Sequence, residues 1–223
     1  EADDIAPFRL DDLDAHRVVL VNGRVDESLS DIGDLPAGVV VSSLAQAGNT
    51  HPDVVEEHYG QYADFEEEAL TALNTAFVQD GAFVYVPSGT VVEKPIFFLH
   101  ITASEQDLLL QPRHLFVAED GAIARIVEAQ HSLTDAQTFT NTVSESFIGE
   151  KANLEHYLIQ DQGLSASQVH TQAAQQKDDS VYTTITGTFT GDVVRNNVTI
   201  EADGSFCESN FYGLVIGKDE MHV

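Results

Sequence analysis

Nine histidines and one cysteine are the side chains of this 223-residue chain best suited to metal or thiol chemistry. No two histidines have the His-x-x-x-His or His-Glu-x-x-His spacing that places two metal ligands on one helix face. Each histidine is therefore predicted to be a surface or hydrogen-bonded strand residue, and no metal ligand is assigned. These residues are His16, His51, His58, His100, His114, His131, His156, His170 and His222.

Cys207 could carry sulfur or bind iron, because a thiolate is the natural ligand for both. The adjacent carboxylate of Glu208 blunts thiolate reactivity, so a small buried strand residue is the preferred interpretation. A single cysteine excludes an internal disulfide framework and a cysteine-rich metal site. His222 lies in a Met-His-Val segment whose pattern is typical of a strand that is cut short.

Three carboxylates, Asp192, Glu201 and Glu208, could serve a carbohydrate-active enzyme of the β-helix type, such as a polysaccharide lyase or hydrolase. That alternative needs the carboxylates together on one face, and the chain has no Trp to provide a sugar platform. A cupin-like metal enzyme is disfavoured because a His-x-His pair is missing. Neither a phosphate-cradling loop nor a dinucleotide glycine fingerprint is found. We therefore expect no catalytic and no cofactor-binding residue in this chain.

The first part of the chain predicts a small α/β segment. Residues 1–13 form an acidic lead-in. Asn22-Gly23 within residues 17–25 favours a type I′ hairpin turn, because both positions accept positive φ. Residues 38–44 are predicted to be extended.

Two helices follow in the prediction. Thr50 caps a helix over residues 52–59 that begins at Pro52. Asp64, with Glu67 three residues later, resembles a capping box and predicts an amphipathic helix over 64–76.

From residue 77 the helical period disappears and about eleven short strand-like runs follow. Their spacing suits a sandwich, a barrel or a solenoid, and the solenoid is preferred because the runs resemble successive coils with variable breaks. The predicted strands cover residues 82–86, 95–101, 107–111, 114–118, 122–128, 138–148, 152–160, 165–174 and three runs ending at 216. The breaks include Asp80-Gly81, Pro87-Ser88-Gly89, Glu119-Asp120-Gly121 and Ala202-Asp203-Gly204.

The last three runs alternate in polarity, which predicts one buried and one wet face. In the first of them Val181, Ile185 and Phe189 share one face, and Tyr182, Thr184, Thr186 and Thr190 share the other. The run over 206–216 is apolar on both faces. Both faces must therefore be buried, either within its own domain or against a partner. The polar cluster at residues 195–197 is expected to ladder with neighbouring coils or to face a partner.

Charge excludes several classes of partner. Lys plus Arg is 10 and Asp plus Glu is 37, so the formal net charge is 10 − 37 = −27. This charge repels nucleic acid and anionic membranes, and its repulsion within the chain is screened in molar salt, which indicates adaptation to a salty interior. No apolar run reaches the ~20 residues of a membrane span and no signal pattern is present, so a cytoplasmic location is expected.

Several segments together resemble the SufB/SufD family of SUF iron–sulfur cluster assembly proteins, and the SufD branch in particular. The resemblance covers about residues 73–223. It is carried by Asp80-Gly81, Val86-Pro87-Ser88-Gly89 and Pro95-Ile96, and later by Val194-Arg-Asn-Asn-Val, Cys207-Glu-Ser-Asn-Phe-Tyr-Gly-Leu and Met221-His-Val.

The resemblance implies a mainly β fold: a small α/β segment over residues 1–76 followed by a right-handed parallel β-helix over 77–223. Family members are commonly near twice this length, so the β-helix is expected to be truncated at its C-terminal end. The implied function is a non-catalytic scaffold that acts with SufB and the SufC ATPase. No cluster ligand is transferred to any residue, since the cluster is assembled transiently by the full complex. An open solenoid end also predicts a homodimer in isolation.

Overall fold

Two stacked β-sheets form most of the molecule in the computed structural model, which describes residues 2–10, 12–217 and 221–223. The strands are β1 His16–Val21, β2 Arg24–Asp31, β3 Val40–Ser43, β4 Ala82–Val86, β5 Ile96–Thr102, β6 Leu108–Leu110, β7 Arg113–Ala118, β8 Ile123–Ser132, β9 Thr138–Ile148, β10 Asn153–Asp161, β11 Ala166–Gln176, β12 Val181–Thr190, β13 Val194–Ala202 and β14 Glu208–Val215. The helices are α1 Ala2–Ile5, a 3-10 turn Ala6–Phe8, α2 Leu44–Thr50, α3 Pro52–His58 and α4 Ala69–Phe77.

The chain winds as a parallel β-solenoid of about five turns, as predicted. Sheet A has the order β14-β12-β10-β8-β5-β1-β2, and sheet B has the order β13-β11-β9-β7-β4-β3 with β6 paired to β9. From β4 onward successive long strands alternate between the sheets and pair in parallel, so that Ile96 lies beside Ile126 one coil later. Each coil therefore supplies one strand to each sheet.

Two of the predicted breaks, at Gly89 and Gly121, belong to a stacked column of corners. Gly89, Gly121, Lys151, Asp179 and Phe206 have φ between 57 and 69°, one residue in each successive coil. Each corner is tied to the next by backbone bonds such as Gly89 N to Asp120 O at 2.8 Å and Gly121 N to Glu150 O at 2.7 Å. The positive φ angle of one residue at each corner turns the backbone, so the chain can leave one sheet and enter the other.

The N-terminal hairpin is confirmed and closes one end of sheet A. Asn22 and Gly23 have φ of 50 and 79°, and β2 runs antiparallel to β1. In turn, β1 pairs in parallel with β5, and β3 pairs antiparallel with β4. Strands of the predicted segment 1–76 thus extend both sheets, and the division at residue 76 itself stays a prediction.

The helix predictions need correction at their starts. The Ser43 side chain accepts from Gln46 N and caps α2, a helix that was not predicted. Thr50 is the last residue of α2 and does not cap α3, although α3 does begin at Pro52.

The helix predicted over 64–76 begins only at Ala69. Asp64 Oδ1 accepts the amides of Glu66 and Glu67, which makes a local turn and no helical cap. The buried face of α4 carries Thr71 and Asn74. Hydrogen bonds from Asn74 hold this helix in place, whereas an apolar stripe was expected to do so.

The space between the two sheets is apolar on one side and polar on the other. Near the corner column it holds small and aliphatic side chains such as Val86, Ala122 and Ala152, with Phe98 and Phe116 farther along the strands. Toward the opposite edge it holds buried polar side chains: His100, His114, Glu128, Gln130, Ser144, His156, Gln160, Gln168, His170 and Gln172. The interior is therefore a two-sided lumen and not a uniform hydrophobic core.

The orientation of β12 contradicts the prediction. Tyr182, Thr184 and Thr188 are buried in the lumen, whereas Ile185 is 38% exposed on the outer face. The threonine face points inward because polar lumen residues receive it: Thr184 donates to Gln172 Oε1 at 2.8 Å and Thr188 to Gln160 Oε1 at 2.7 Å. Among the described residues, no helix is long and apolar enough to cross a membrane.

Candidate functional site

Four strands direct ionisable side chains to one point in the polar half of the lumen. Glu128 on β8 is fully buried, and His156 on β10 lies with Nε2 2.6 Å from Glu128 Oε1. The Nε2 atoms of His100 on β5 and His114 on β7 lie 2.7 and 3.4 Å from Glu128 Oε2. Sheet A thus supplies three members and sheet B the fourth. We call these four residues the lumen cluster.

The electrostatics of the lumen cluster favour an ionised carboxylate among imidazoles. Burial opposes ionisation of Glu128, but the neighbouring imidazoles, His114 first, hold its pKa well below its usual range. Burial lowers the pKa of His114 to about 3 and that of the nearby His170 to about 4, so both rings are neutral near neutral pH.

Hydrogen bonds orient the His114 ring and join one oxygen of Glu128 to His156. The Ala82 amide donates to His114 Nδ1 at 2.9 Å, which places the His114 ring proton on Nε2. Glu128 Oε1 is satisfied by His156. Glu128 Oε2, His100 Nε2 and His114 Nε2 are buried, and none of the three makes a well-directed hydrogen bond. These three atoms lie within 4.8 Å of one another.

A second buried charge pair locks the N-terminal segment to the outside of sheet B. Arg113 on β7 and Glu145 on β9 are both fully buried, with Arg113 Nη2 2.6 Å from Glu145 Oε2. Glu145 also accepts the backbone amides of Gly60, Tyr62 and Ala63 at 2.8 to 3.0 Å. The pair therefore holds the loop before α4 in place. We call it the outer latch.

The last coil is exposed. Its apolar side chains would occupy the lumen and the outer sheet face of a longer solenoid, yet the described residues leave them uncovered: Phe211, Tyr212, Leu214, Val215 and Ile216 are each between 51 and 59% exposed. The two-sided apolar character predicted from sequence is real, and the structure shows no cover for it within the described part of the chain.

The histidine predictions are met only in part. Each of His100, His114, His156 and His170 is a strand residue with a polar neighbour, as expected, but all four lie inside the lumen. Sequence reasoning missed Glu128 and the convergence around it. A usable signal exists, because 100, 128 and 156 are spaced by 28 residues, close to one coil, and share the inward parity.

The cysteine prediction is wrong in position. Cys207 is half-buried in the corner before β14, not buried in a strand, and its thiol lies 3.3 Å from the Lys177 carbonyl. His222 does continue the sheet: it forms a parallel bridge with Val193, and its carbonyl accepts from Val194 N at 2.7 Å.

The carboxylates proposed for a carbohydrate enzyme do not come together. Asp192 lies just before β13 and Glu201 lies near the end of that strand, so roughly 30 Å of mostly extended chain separates them. Glu201 and Glu208 lie on either side of the next corner. An acid–base pair across a glycosidic bond needs two carboxyl groups within roughly 10 Å.

The polar cluster at 195–197 ladders with the preceding coils. Asn196 and Gln160 exchange side-chain hydrogen bonds of 2.9 and 3.0 Å inside the lumen. Asn197 donates to Thr171 Oγ1 at 3.3 Å, whereas Arg195 is exposed. The laddering half of that expectation is confirmed.

A parallel β-solenoid with an N-terminal α/β cap, a polar lumen and an exposed last coil defines the class of protein. Family comparison gives the particular family. Residues 3–98 match the SufBD protein N-terminal region, and residues 100–223 match the SufBD core domain of SUF system FeS cluster assembly. The chain belongs to the SufBD family of iron–sulfur cluster assembly proteins.

Curated relatives agree with this assignment. An iron-sulfur cluster assembly SufBD family protein of Synechocystis sp. is 28% identical over 218 residues, covering 94% of this chain and 48% of the relative. The iron-sulfur cluster assembly protein SufD of Bacillus subtilis is 28% identical over 189 residues, covering 82% of this chain and 43% of the relative. The chain thus spans about half the length of these curated relatives.

Proposed function

We propose that this chain is a SufD-type, non-catalytic scaffold subunit that assembles with SufB and the SufC ATPase. The observation that carries the proposal is the match of residues 100–223 to the SufBD core domain of SUF system FeS cluster assembly. The similarity to Bacillus subtilis SufD supports the SufD branch. A scaffold contributes shape and partner surface, and a solenoid supplies both because each coil contacts only its neighbours.

The exposed last coil supports a role in assembly. Apolar side chains on both faces of β14 form a contiguous patch, and such patches mark interaction sites in soluble proteins. The unpaired edge of β14 adds backbone donors and acceptors that another extended coil can satisfy. We propose that these apolar faces are covered in the assembled complex, by further coils of the same polypeptide or by a partner subunit.

The test is co-purification of the full-length gene product with SufB and SufC from the same organism, followed by anaerobic cluster reconstitution. We expect a stable complex, ATP hydrolysis that depends on SufC, and cluster formation that requires all three subunits. Leu214→Ser in β14 should weaken assembly, because it places a polar group in the apolar patch. Leu109→Ser is the matched control, since Leu109 is 57% exposed on β6, far from the last coil.

Failure of SufB and SufC to co-purify would refute the partner assignment. ATP hydrolysis by this chain alone would refute the non-catalytic assignment. Equal loss of assembly in Leu214→Ser and Leu109→Ser would remove the special role of the last coil.

In isolation the same patch supports a homodimer, as the sequence predicted. Burying an apolar sheet end against its symmetry mate satisfies the exposed edge of both copies. Light scattering at several concentrations tests this, and a monomer throughout would count against it.

We further propose that the chain works in the cytoplasm of a salt-adapted cell. The net charge of −27 supports this, because molar salt screens repulsion within the chain to about 3 Å. Unfolding in urea at low and molar KCl should show higher stability in salt. Stability that falls with added KCl would contradict the salt adaptation.

A further inference from the structure

The short strand β6 has a strand neighbour on one side only. Its residues Leu108–Leu110 pair in parallel with residues 138–140 of β9, and among the described residues no second strand pairs with it. Leu108 N donates to Gln137 O at 3.1 Å. Because alternate residues of a strand turn their amide and carbonyl groups to opposite edges, those of Leu109 point away from β9. Strand β6 therefore has an open edge.

The edge is open because the preceding coil leaves sheet B at this point. Helix α4 ends at Phe77, and the chain returns to the sheet at Asp80, whose carbonyl accepts Arg113 N at 3.2 Å. The first strand of that coil, β4, begins only at Ala82. Beside β6 the structure has a cleft of about 250 Å³ between the β1–β2 turn, the residues after α4 and β6. The cleft lies where a further strand of sheet B would be added.

Two large apolar side chains line this cleft and remain exposed. They are Phe77 at the end of α4 and Leu109 in β6. Leu110 and Pro112 add further apolar surface. An added strand would bury apolar residues against these side chains, as neighbouring strands do on one face of a sheet.

The cleft also has polar groups whose bonding capacity is incomplete. Arg24 is exposed in the β1–β2 turn, donates to Gln79 Oε1, and forms no ion pair with a described carboxylate. Gln111 is buried in the wall of the cleft, and its Nε2 has no hydrogen-bond partner among the described residues. These groups favour an occupant that supplies a negative charge and hydrogen-bond acceptors.

Asp80 does not neutralise Arg24, although it is the only carboxylate among the described residues that line the cleft. Its Oδ1 accepts Ala45 N at 3.1 Å and its Oδ2 accepts Val25 N at 3.5 Å. Both oxygens are thus directed to backbone amides. The chain has 37 acidic and 10 basic residues, so a guanidinium without a carboxylate partner stands out as an attractive point for an anionic group.

We propose that the open edge of β6 binds an extended segment of another protein, which joins sheet B as an additional strand. The segment has apolar residues at alternate positions and at least one Asp or Glu to pair with Arg24. The site lies at the first coils, so it is separate from the contacts proposed for the last coil.

Size and charge disfavour other occupants. Pockets for small molecules typically have volumes of roughly 300–1,000 Å³, which is larger than this cleft. The net charge of −27 repels nucleic acid. A second copy of this chain would bring the same net charge to the site, so a different protein is favoured.

The test uses the full-length protein and a short fluorescein-labelled peptide that alternates Val and Glu, measured by fluorescence anisotropy. A matched peptide has Gln at the Glu positions. The net charge of the protein opposes non-specific binding of the Glu peptide. We expect saturable binding of the Glu peptide and binding of the Gln peptide that is weaker by roughly 10-fold. Hydrogen exchange of the Leu109 amide should become slower when the Glu peptide is bound.

Arg24→Gln should weaken binding of the Glu peptide by roughly 10-fold and leave binding of the Gln peptide unchanged, because the lost contact is the charge pair. Arg195→Gln is the matched control. Arg195 is also exposed and donates to an asparagine side chain, but it lies in the last-but-one strand, β13. Its substitution removes the same charge and should change neither affinity.

A second pair of variants tests the backbone edge. Leu109→Pro removes the outward amide, at a position where proline is tolerated because that amide makes no ladder bond, and should weaken both peptides by roughly 10-fold. Leu109→Val keeps the amide and an apolar side chain, so both affinities should stay within about twofold. Urea denaturation establishes whether Leu109→Pro folds, and the Arg24 comparison and the exchange measurement stand without it.

Absence of saturable binding of the Glu peptide up to about 1 mM would overturn the proposal. Equal weakening by Arg24→Gln and Arg195→Gln, or unchanged exchange of the Leu109 amide, would also overturn it. A dimer of the full-length protein that Arg24→Gln abolishes and Arg195→Gln preserves would assign the edge to a second copy of this chain instead.

Discussion

The first and last coils of the solenoid are built from the same kind of strand but end in opposite ways. The first coils are closed by the β1–β2 hairpin and by β3, and their lumen is filled by side chains such as Val18, Leu20 and Val84. The last coil presents Phe211 and Leu214 to solvent. Stacking of coils therefore does not by itself bury the terminal coil of a solenoid. An end is stable only when a different element covers it, and within the described residues only the first coils have such a cover.

The outer latch explains why the first coils are also fixed to the helices. Arg113 and Glu145 join two neighbouring strands of sheet B to the loop before α4, with Arg113 Nη1 donating to Thr75 at 2.9 Å. Nothing comparable joins the described residues of the last coil to a helix. The comparison predicts that destabilising changes are severe in the first coils and mild in the last.

The largest effect is expected from Arg113→Met. It leaves Glu145 as a buried charge with only backbone donors, so the free energy of unfolding should fall by about 3–5 kcal/mol in urea denaturation. Arg125→Met is the control, because Arg125 forms a pair with Glu155 on the outside of sheet A in which its side chain is 45% exposed. That change should cost less than about 1 kcal/mol. Equal losses of stability in both variants would mean that the buried pair of the outer latch contributes no more than an exposed ion pair.

The next largest difference in the free energy of unfolding is expected between substitutions at Gly81 and Gly213. A Cβ at Gly81 would lie 1.7 Å from the Arg113 carbonyl, whereas a Cβ at Gly213 in β14 would meet nothing within 4 Å. Gly81→Ala should lower the free energy of unfolding by about 3 kcal/mol through displaced backbone. Gly213→Ala should stay within about 0.5 kcal/mol. Thermal and urea unfolding measure both, and a tolerated Gly81→Ala would contradict the close packing of the first coils.

The polar lumen between the two ends makes stability depend on pH. Burial lowers the pKa of His170 to about 4, while the unfolded chain takes up that proton near pH 6.5. The stabilising contribution is therefore complete above about pH 6.5 and is lost as the pH falls toward 4, by up to about 1.4 kcal/mol per pH unit.

In His170→Gln this part of the pH dependence should disappear. Urea denaturation at about pH 7 and pH 5 would show it as a smaller loss of stability, by roughly 2 kcal/mol, than in the unmodified chain. An unchanged pH dependence would show that His170 is not held neutral in the folded state.

The smallest effect is expected in the last coil itself. Phe211→Ala should change the free energy of unfolding of the monomeric chain by less than about 0.5 kcal/mol, because the side chain is already 54% exposed. Denaturation at low protein concentration measures this. A loss above about 2 kcal/mol under those conditions would mean that the last coil is packed in the isolated chain.

Much of the architecture could be predicted from local sequence. Alternating polarity located the strands, and Asn22-Gly23 gave the hairpin because two positive φ angles are needed there. Residues 89 and 121 likewise gave two corners of the solenoid. The predicted start of α4 was wrong, because Asp64 accepts the amides of a local turn. The position of the helix depends on Asn74, which donates to the carbonyls of Pro112, just before β7, and Asn141 in β9.

The sequence by itself determined where the chain is extended, where it turns and that its last run is apolar on both faces, because these properties depend on neighbouring residues. Only the tertiary structure decided which face of β12 points inward and that residues 28 apart meet at Glu128. Both depend on the register between coils, where a shift of one residue would exchange the two faces of a strand. No local pattern specifies that register, since it is set by the corners and by the fit of side chains across the lumen.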